Sequence, residues 1–290
     1  MKKLLWIRIL LILAVLVFLL VALCAFSAYQ SAHTLIVTNY ELSAPIQNPL
    51  RIVQLTDLHC RSFGEGNQEL LDIIRGLNPD LILMTGDMVN GGEEEIDVVL
   101  RLIEQLKEHS PVYFGYGNHE TDWEKRFGPL RPALEEAGAV VLNTEYLDVE
   151  YCGNALRIGG YAGYYRAPVM TTSDREQRAY ELRFADEFEA TERYTILLSH
   201  VPTAWLDWEH RDDYHVDLAF CGHYHGGQIR LPLIGGLIAP NIGFFPPYTK
   251  GLYIGKTAAV VLSAGLGSEQ KLPRINNPGE IVCLDLLPLS

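Results

Sequence analysis

FCGHYHGGQI, residues 220–229, sets two histidines one position apart in a nest of glycines. Glycine accepts the backbone angles of a tight turn, so His223 and His225 can be aimed at one point. The apolar residues before the turn read as the end of a strand. Upstream the same rhythm recurs four times: an apolar, strand-like run stops, and a side chain able to bind a metal follows at once. RIVQLTDLH (51–59) supplies Asp57 and His59, LILMTGD (81–87) supplies Asp87, VYFGYGNHE (112–120) supplies Asn118 and His119, and TILLSH (195–200) supplies His200.

Around these runs the pattern is α/β. Strand-like segments at 52–55, 81–84 and 112–114 alternate with helical ones at 69–77, 93–108 and 130–137, the signature of a sheet with helices on its faces. An alternating run at 34–42 reads as an opening strand. From residue 140 onward the texture is mostly strands, at 140–142, 156–158, 195–198, 218–220, 252–254, 258–262 and 281–286, with one acidic helix at 174–190. Two packed sheets flanked by helices accommodate both halves. The stretch LPLIGGLIAPNIGFFPPY (231–248) reads either as a β-rich hairpin packed on the core or as a surface lying against lipid.

The first thirty residues differ in kind. Lys2, Lys3 and Arg8 precede an uninterrupted apolar run of eighteen residues, 9–26. At 1.5 Å per residue this matches a hydrocarbon core of ~30 Å, and the basic residues before it place the N-terminus in the cytoplasm and the remainder outside. A cleaved secretory signal, or lipidation at Cys24, is the competing reading; the small-x-small sites near 22–28 are poor, and Leu23 is bulky where lipoprotein sites carry a small residue. The expected organisation is an anchor at 1–30, a linker and opening strand at 31–50, and one domain at 51–290, a single-pass membrane protein with its catalytic part outside the cytoplasm.

With three basic and no acidic residues in the first thirty, residues 31–290 carry 20 basic and 36 acidic side chains, a net charge of −16. Such a surface repels polyanions and argues against nucleic acid as a partner. Four of the five cysteines lie in this region, widely spaced and without CxxC pairs. They read as packed thiols rather than a disulfide framework, although Cys60 and Cys221 become neighbours if their motifs converge.

Asp57 and His59 stand at i and i+2 and, on an extended segment, face the same side. Asp87 can bridge two ions ~3.5–4 Å apart. Asn118 offers a carbonyl oxygen, whereas His119 points elsewhere and is available for acid/base work or charge stabilisation; Glu120 either holds the His119 tautomer or is solvated. His200, His223 and His225 complete seven ligands, of the kind that hold two divalent ions of Mn, Zn or Fe. His33, His109, His210 and His215 read as ordinary polar residues, with His109 as a cation at a helix end.

The order DLH, GD, GNHE, SH, GHYHGGQ resembles the calcineurin-like metallophosphoesterase family over roughly residues 51–286, and GGQIRLP with AGLGSEQKLPRINNPGE looks like its bacterial, membrane-anchored branch. The resemblance implies a four-layer α/β/β/α sandwich of two mixed sheets. It assigns Asp57, His59, Asp87 and His225 to one metal, and Asp87, Asn118, His200 and His223 to the other. It further implies in-line attack by a metal-bridging hydroxide, with His119 stabilising the phosphorus centre or protonating the leaving oxygen. Where that branch often carries an arginine and a second proline, this chain has Ala264 and Gly279, so contacts to substrate near the C-terminal loop are open. The expected substrate is a small or lipid-linked phosphoester, such as a nucleotide sugar or a cell-wall phosphodiester. The competing classes are a catalytically silent scaffold that has lost ligands, and a two-metal hydrolase of a non-phosphate ester.

Overall fold

A computed structural model describes residues 2–163, 165–166, 175–206, 214–240, 242–268 and 272–289. His210 and Asp174, the first residue of the expected acidic helix, lie outside them. The chain opens with α1 (Lys2–His33), β1 (Leu35–Ala44), β2 (Leu50–Leu55), α2 (Gln68–Leu77), β3 (Leu81–Thr85), α3 (Asp97–Leu106), β4 (Val112–Gly115), α4 (Asn118–Phe127), α5 (Arg131–Ala137) and β5 (Val140–Leu142). There follow β6 (Glu145–Tyr151), β7 (Asn154–Tyr161), α6 (Arg175–Glu189), β8 (Tyr194–Ser199), α7 (Thr203–Leu206) and β9 (Leu218–Cys221). Four two-residue strands come next, β10 (Arg230–Leu231), β11 (Gly235–Gly236), β12 (Ile238–Ala239) and β13 (Gly243–Phe244), then β14 (Gly251–Ile254), β15 (Ala259–Leu262) and β16 (Gly279–Pro288).

Two six-stranded mixed sheets form, ordered β1-β16-β2-β3-β4-β5 and β14-β15-β9-β8-β7-β6. In the first, β2 to β5 are parallel and β16 runs antiparallel to β2; in the second, β7, β8, β9 and β15 are parallel and both edges are antiparallel. Strand residues alternate between faces, and here both faces are covered. Val53, Leu55, Ile82 and Met84 pack against α2 and α3, while Ile52, Leu81 and Leu83 meet Ile158, Ile196, Leu198 and Phe220 of the second sheet. Leu197, Ala219 and Cys221, facing the other way, pack with Phe184, Phe188 and Trp205 of α6 and α7. The result is the expected α/β/β/α sandwich, with each fully buried aliphatic side chain contributing about 1.5–3 kcal/mol.

The elements differ from the sequence reading in several places. α3 starts at Asp97 rather than 93, because Glu93 is held in a turn by Asn90 and its carbonyl accepts the Trp123 indole N–H at 3.0 Å. α4 was not expected; NHETDWEKRF has little apolar periodicity, and its stability comes from its first turn. β6 is a charged, half-exposed edge strand, EYLDVEY, and escapes a reading based on apolar runs. α1 continues to His33 and joins β1 through Thr34 alone, so residues 31–50 hold helix and strand from their start. The last turns of α1 dock on the domain: Ser27 Oγ accepts the Asn276 N–H at 2.8 Å, and Ser31 Oγ accepts that of Asn277 at 3.0 Å.

Just past the end of α3, His109 Nε2 accepts a hydrogen bond from Arg75 Nε at 2.9 Å. Among the described residues the cysteines are free thiols, with Cys60 Sγ directed at the Glu95 carbonyl and Cys221 buried against α7.

The two sheets leave no room for a side chain where β4 meets β8. A Cβ on Gly115 would stand 2.7 Å from Leu198 Cβ. Gly115→Val therefore overpacks the inter-sheet layer and is expected to lower unfolding stability by about 1–3 kcal/mol. Urea unfolding of the detergent-solubilised chain measures it; an unchanged midpoint would show that the sheets are not held this close.

Candidate metal centre

Every expected ligand falls in a loop at the C-terminal end of a strand. Asp57 and His59 follow β2, Asp87 follows β3, Asn118 and His119 open α4 after β4, His200 follows β8, and His223 and His225 follow β9. Because β2, β3 and β4 are parallel in one sheet and β8 and β9 in the other, these loops converge at one end of the sandwich. Three groups form in which the ligand atoms lie within 4.8 Å of one another: Asp57, His59 and His225; His59, Asp87 and His119; and Asp87, His200 and His223.

The loops turn sharply to deliver these side chains. Asp57, His59, Asp87, His223 and His225 have φ of 52°, 50°, 52°, 69° and 46°, in the left-handed region that costs a residue with a Cβ about 1–2 kcal/mol. Gly86 (φ 89°) lets the β3 loop pass the β4 loop, since a Cβ there would meet Gly117 N at 2.5 Å and His200 Nδ1 at 2.9 Å. Backbone bonds brace the turns: Asp57 N–H donates to Gly86 O at 3.0 Å, His59 N–H to Asp87 O at 3.1 Å, and Gly222 N–H to His200 O at 2.9 Å.

Around the ligands a second set of groups fixes their orientation. His59 Nδ1 stands 3.2 Å from Asn90 Oδ1 and His200 Nδ1 stands 2.8 Å from Thr85 O, so each Nδ1 donates and each ring turns Nε2 into the cluster. His119 is the converse. Its Nδ1 accepts the Gly91 N–H at 3.0 Å, which leaves the proton of the neutral ring on Nε2. Asp57 accepts the His223 N–H on both oxygens, at 3.1 and 3.2 Å, and Asp87 Oδ1 accepts that of His119 at 2.9 Å.

Glu120 overturns both sequence readings of it. It is fully buried, is neither solvated nor bonded to the His119 ring, and accepts four backbone N–H groups: Asp87 at 2.8 Å, Met88 at 2.8 Å, Val89 at 3.2 Å and Gly117 at 2.7 Å. Two donors per oxygen is the geometry of a carboxylate. Burial and the charge of Asp87 push its carboxyl up, against the pull of those N–H groups. One side chain thus ties the β3 loop to the first turn of α4. The legible signal was its place as third residue of a helix, where a Glu reaches back to the N-terminal backbone. Arg274 was also missed; buried, it donates to the carbonyls of Ala264, Gly267, Asn277 and Pro278 and shapes the loop beside Asp57.

The electrostatics favour cations. Burial lowers His59 to about 4 and His223 to about 3, and holds His225 well below its ordinary value, so all three offer neutral nitrogen at pH 7. Burial raises Asp57 to about 6, partly offset by His200. Burial alone would raise Asp87 too, but His200, whose Nε2 is 2.9 Å from Asp87 Oδ2, outweighs it and keeps that carboxyl below the usual range. Burial opposes charge on His200, yet Asp87 and Asp57 together raise it to about 10. Three buried atoms of the cluster, His59 Nε2, Asn118 Oδ1 and His225 Nδ1, have no hydrogen-bond partner, while His200 Nε2 faces Asp87 Oδ2 at 2.9 Å. Buried polar atoms are seldom left so, and lone pairs on nitrogen and oxygen that converge on carboxylates fit divalent transition metals. The cluster floors a cleft of about 690 Å³ whose walls include Lys125, Asn143, Tyr161, Gln177 and Pro240.

Two facing mixed sheets with carboxylates and imidazoles gathered at their strand ends define a metal-dependent phosphoester hydrolase. Residues 50–227 match the calcineurin-like phosphoesterase family, and the chain belongs to it. It is 26% identical over 247 residues to the uncharacterized metallophosphoesterase YkoQ of Bacillus subtilis, covering 82% of this chain and 83% of that one. It is 27% identical over 248 residues to the phosphodiesterase YaeI of Escherichia coli, again covering 82% and 83%. Among solved structures, a 5'-nucleotidase precursor from Thermus thermophilus aligns with a TM-score of 0.47 and 16% identity over 82% of this chain, which spans 54% of that larger one.

Glu120→Gln places an amide NH2 against backbone donors. It should cost about 2 kcal/mol or more and reduce bound metal, although Glu120 is not itself among the expected ligands. Thermal unfolding and elemental analysis test this together; a variant with wild-type midpoint and metal content would refute the positioning role.

Proposed function

We propose that the chain hydrolyses phosphodiesters with two divalent ions, of Mn, Zn or Fe, outside the cytoplasm, on a lipid-linked, nucleotide-sugar or cell-wall substrate. The observation that carries the two-ion reading is the set of three unpartnered lone-pair atoms, His59 Nε2, Asn118 Oδ1 and His225 Nδ1, gathered with His200 and the two buried carboxylates at the cleft floor. Asp57, His59, Asp87 and His225 hold one ion; Asp87, Asn118, His200 and His223 hold the other. When bound, such ions supply an acidified water and neutralise phosphate charge.

The chain's own residues do the rest. Asp87 clusters with His59 and His119 and also with His200 and His223, and would serve both ions. His119, with its proton on Nε2 and that atom 3.9 Å from Asp87 Oδ2 at the cleft floor, donates to the leaving oxygen or to charge building on the phosphoryl group. The cleft carries little to hold a second phosphate charge. Among the described residues lining it, the basic side chain is Lys125, which is ion-paired with Asp122 at 2.9 Å, and Asp122 and Glu181 line it as well. Arg61, the basic residue nearest the sequence motifs, instead stacks over Phe63 at 4.9 Å. A diester, with one charge, suits such walls better than a monoester dianion or a nucleic acid.

α1 is long and apolar enough to cross a membrane, and its apolar window is unburied by the rest of the chain. Lys2, Lys3 and Arg8 orient it with the domain outside.

Asp87→Asn should abolish hydrolysis of bis(p-nitrophenyl) phosphate and lower bound metal at both positions. His119→Ala should keep metal near the wild-type content and lose about 10²–10⁴-fold in turnover. Parallel loss of metal in both variants would sink this division of roles.

For the topology, a reporter fused after Ser290 should be active only when exported. Activity confined to the cytoplasm would reverse the orientation.

A further inference from the structure

The flap built from β10 to β13 is unlike the rest of the surface. Residues 231–248 contain no charged side chain, between Arg230 and Lys250, in a region of net charge −16. Its turns put apolar groups into solvent: Leu233 is fully exposed, and Ile234, Phe244 and Phe245 are 64%, 71% and 60% exposed. Other flap residues pack inward, with Ala239 and Ile242 against the third core cluster, so the tips are held out by a folded base. Clustered exposed apolar groups of this kind mark an interaction surface.

The fold places this surface beside the exit of α1. Ser27, directly after the apolar run 9–26, bonds to Asn276, and Asn276 Nδ2 donates to Arg230 O at 3.2 Å. Arg230 N–H in turn donates to Ile275 O at 2.9 Å. The root of the flap is therefore one loop away from the first residue past the membrane-length run. Leu233 follows Arg230 by three residues, at most about 11 Å of extended chain. A helix of eighteen apolar residues ends near the headgroup boundary, where aromatic and aliphatic side chains seat favourably beside polar backbone.

From these observations we propose that the flap tips, Leu233, Ile234, Phe244 and Phe245, are a second membrane contact, seated in the bilayer interface next to α1. The proposal rests on α1 being the membrane anchor. The other side of the flap contributes Pro240 to the wall of the metal cleft, so one short β structure connects the lipid surface with the site. A phosphoester borne on a lipid would reach the cleft along it.

The test is photo-crosslinking of the full chain in phospholipid nanodiscs, with p-benzoylphenylalanine introduced singly at positions 233, 244, 147 and 18 and adducts read by mass spectrometry. Position 147 is an exposed leucine on β6, at the opposite edge of the second sheet from β14, and position 18 lies within the apolar run. Lipid adducts at 18, 233 and 244 with none at 147 are the expected result. Lipid adducts at 18 alone, or adducts from 244 to a second copy of the chain, would overturn the flap contact and leave the anchor intact. Absence of lipid adducts at 18 would remove the anchor, and with it the proposal. As a second readout, Leu233→Asp combined with Phe244→Asp should lower hydrolysis of a bilayer-borne phosphodiester at least several-fold while leaving that of soluble bis(p-nitrophenyl) phosphate unchanged; equal effects on both would count against it.

Discussion

Asp57 and Asp87 are buried at the ends of neighbouring strands, and the cost of keeping two carboxylates out of water organises what surrounds them. Each ion so buried costs several kcal/mol unless it is paired and hydrogen-bonded. Backbone N–H groups from His223 and His119 answer part of that, and His200 answers more. The loops can present those donors only by turning through left-handed backbone, which adds strain at five positions. A core with three buried layers of side chains carries that strain, and the sandwich is in this sense the support of a polar cluster that could not assemble by itself.

How much of this was legible follows from what each residue signals locally. Strand ends announced themselves because buried parallel strands are short apolar runs, and a polar residue after such a run is conspicuous; thus Asp57, Asp87, His200, His223 and His225 stood out, and the structure gathers them in clusters. Convergence of those ends needed the family order as well as the runs. Glu120 carried only the signal of its place in a helix and Arg274 carried none, because their partners are backbone groups, and a backbone group leaves no mark in a sequence. α4 failed the periodicity test because Trp123 and Phe127 are nearly its whole apolar face, and β6 failed because an edge strand must stay polar on its open side. The flap was legible as composition, but not as shape: its base packs on the core and its tips do not.

The histidines of the site divide by tautomer as well as by position. His59 and His200 are pinned through Nδ1 to oxygen acceptors, whereas His119 is pinned through Nδ1 to an N–H donor. The same side chain thereby turns Nε2 into the cluster with Nδ1 donating in two places, and with Nδ1 accepting in the third. The distinction is set by Asn90, Thr85 and Gly91, one side chain and two backbone groups within the segment 85–91. The loop after β3 accordingly carries more of the chemistry than its one carboxylate suggests.

The join between α1 and β1 is one residue, Thr34, and β1 is itself knitted along its whole length to β16. For a helix embedded in a bilayer, so short a join removes slack. The domain cannot sample a hemisphere above its anchor as a tethered globule does; its height and its facing are set by the helix. For a substrate carried in the same bilayer, encounter would then be a search in two dimensions, governed by lateral diffusion in the plane of the lipid rather than by concentration in the surrounding water.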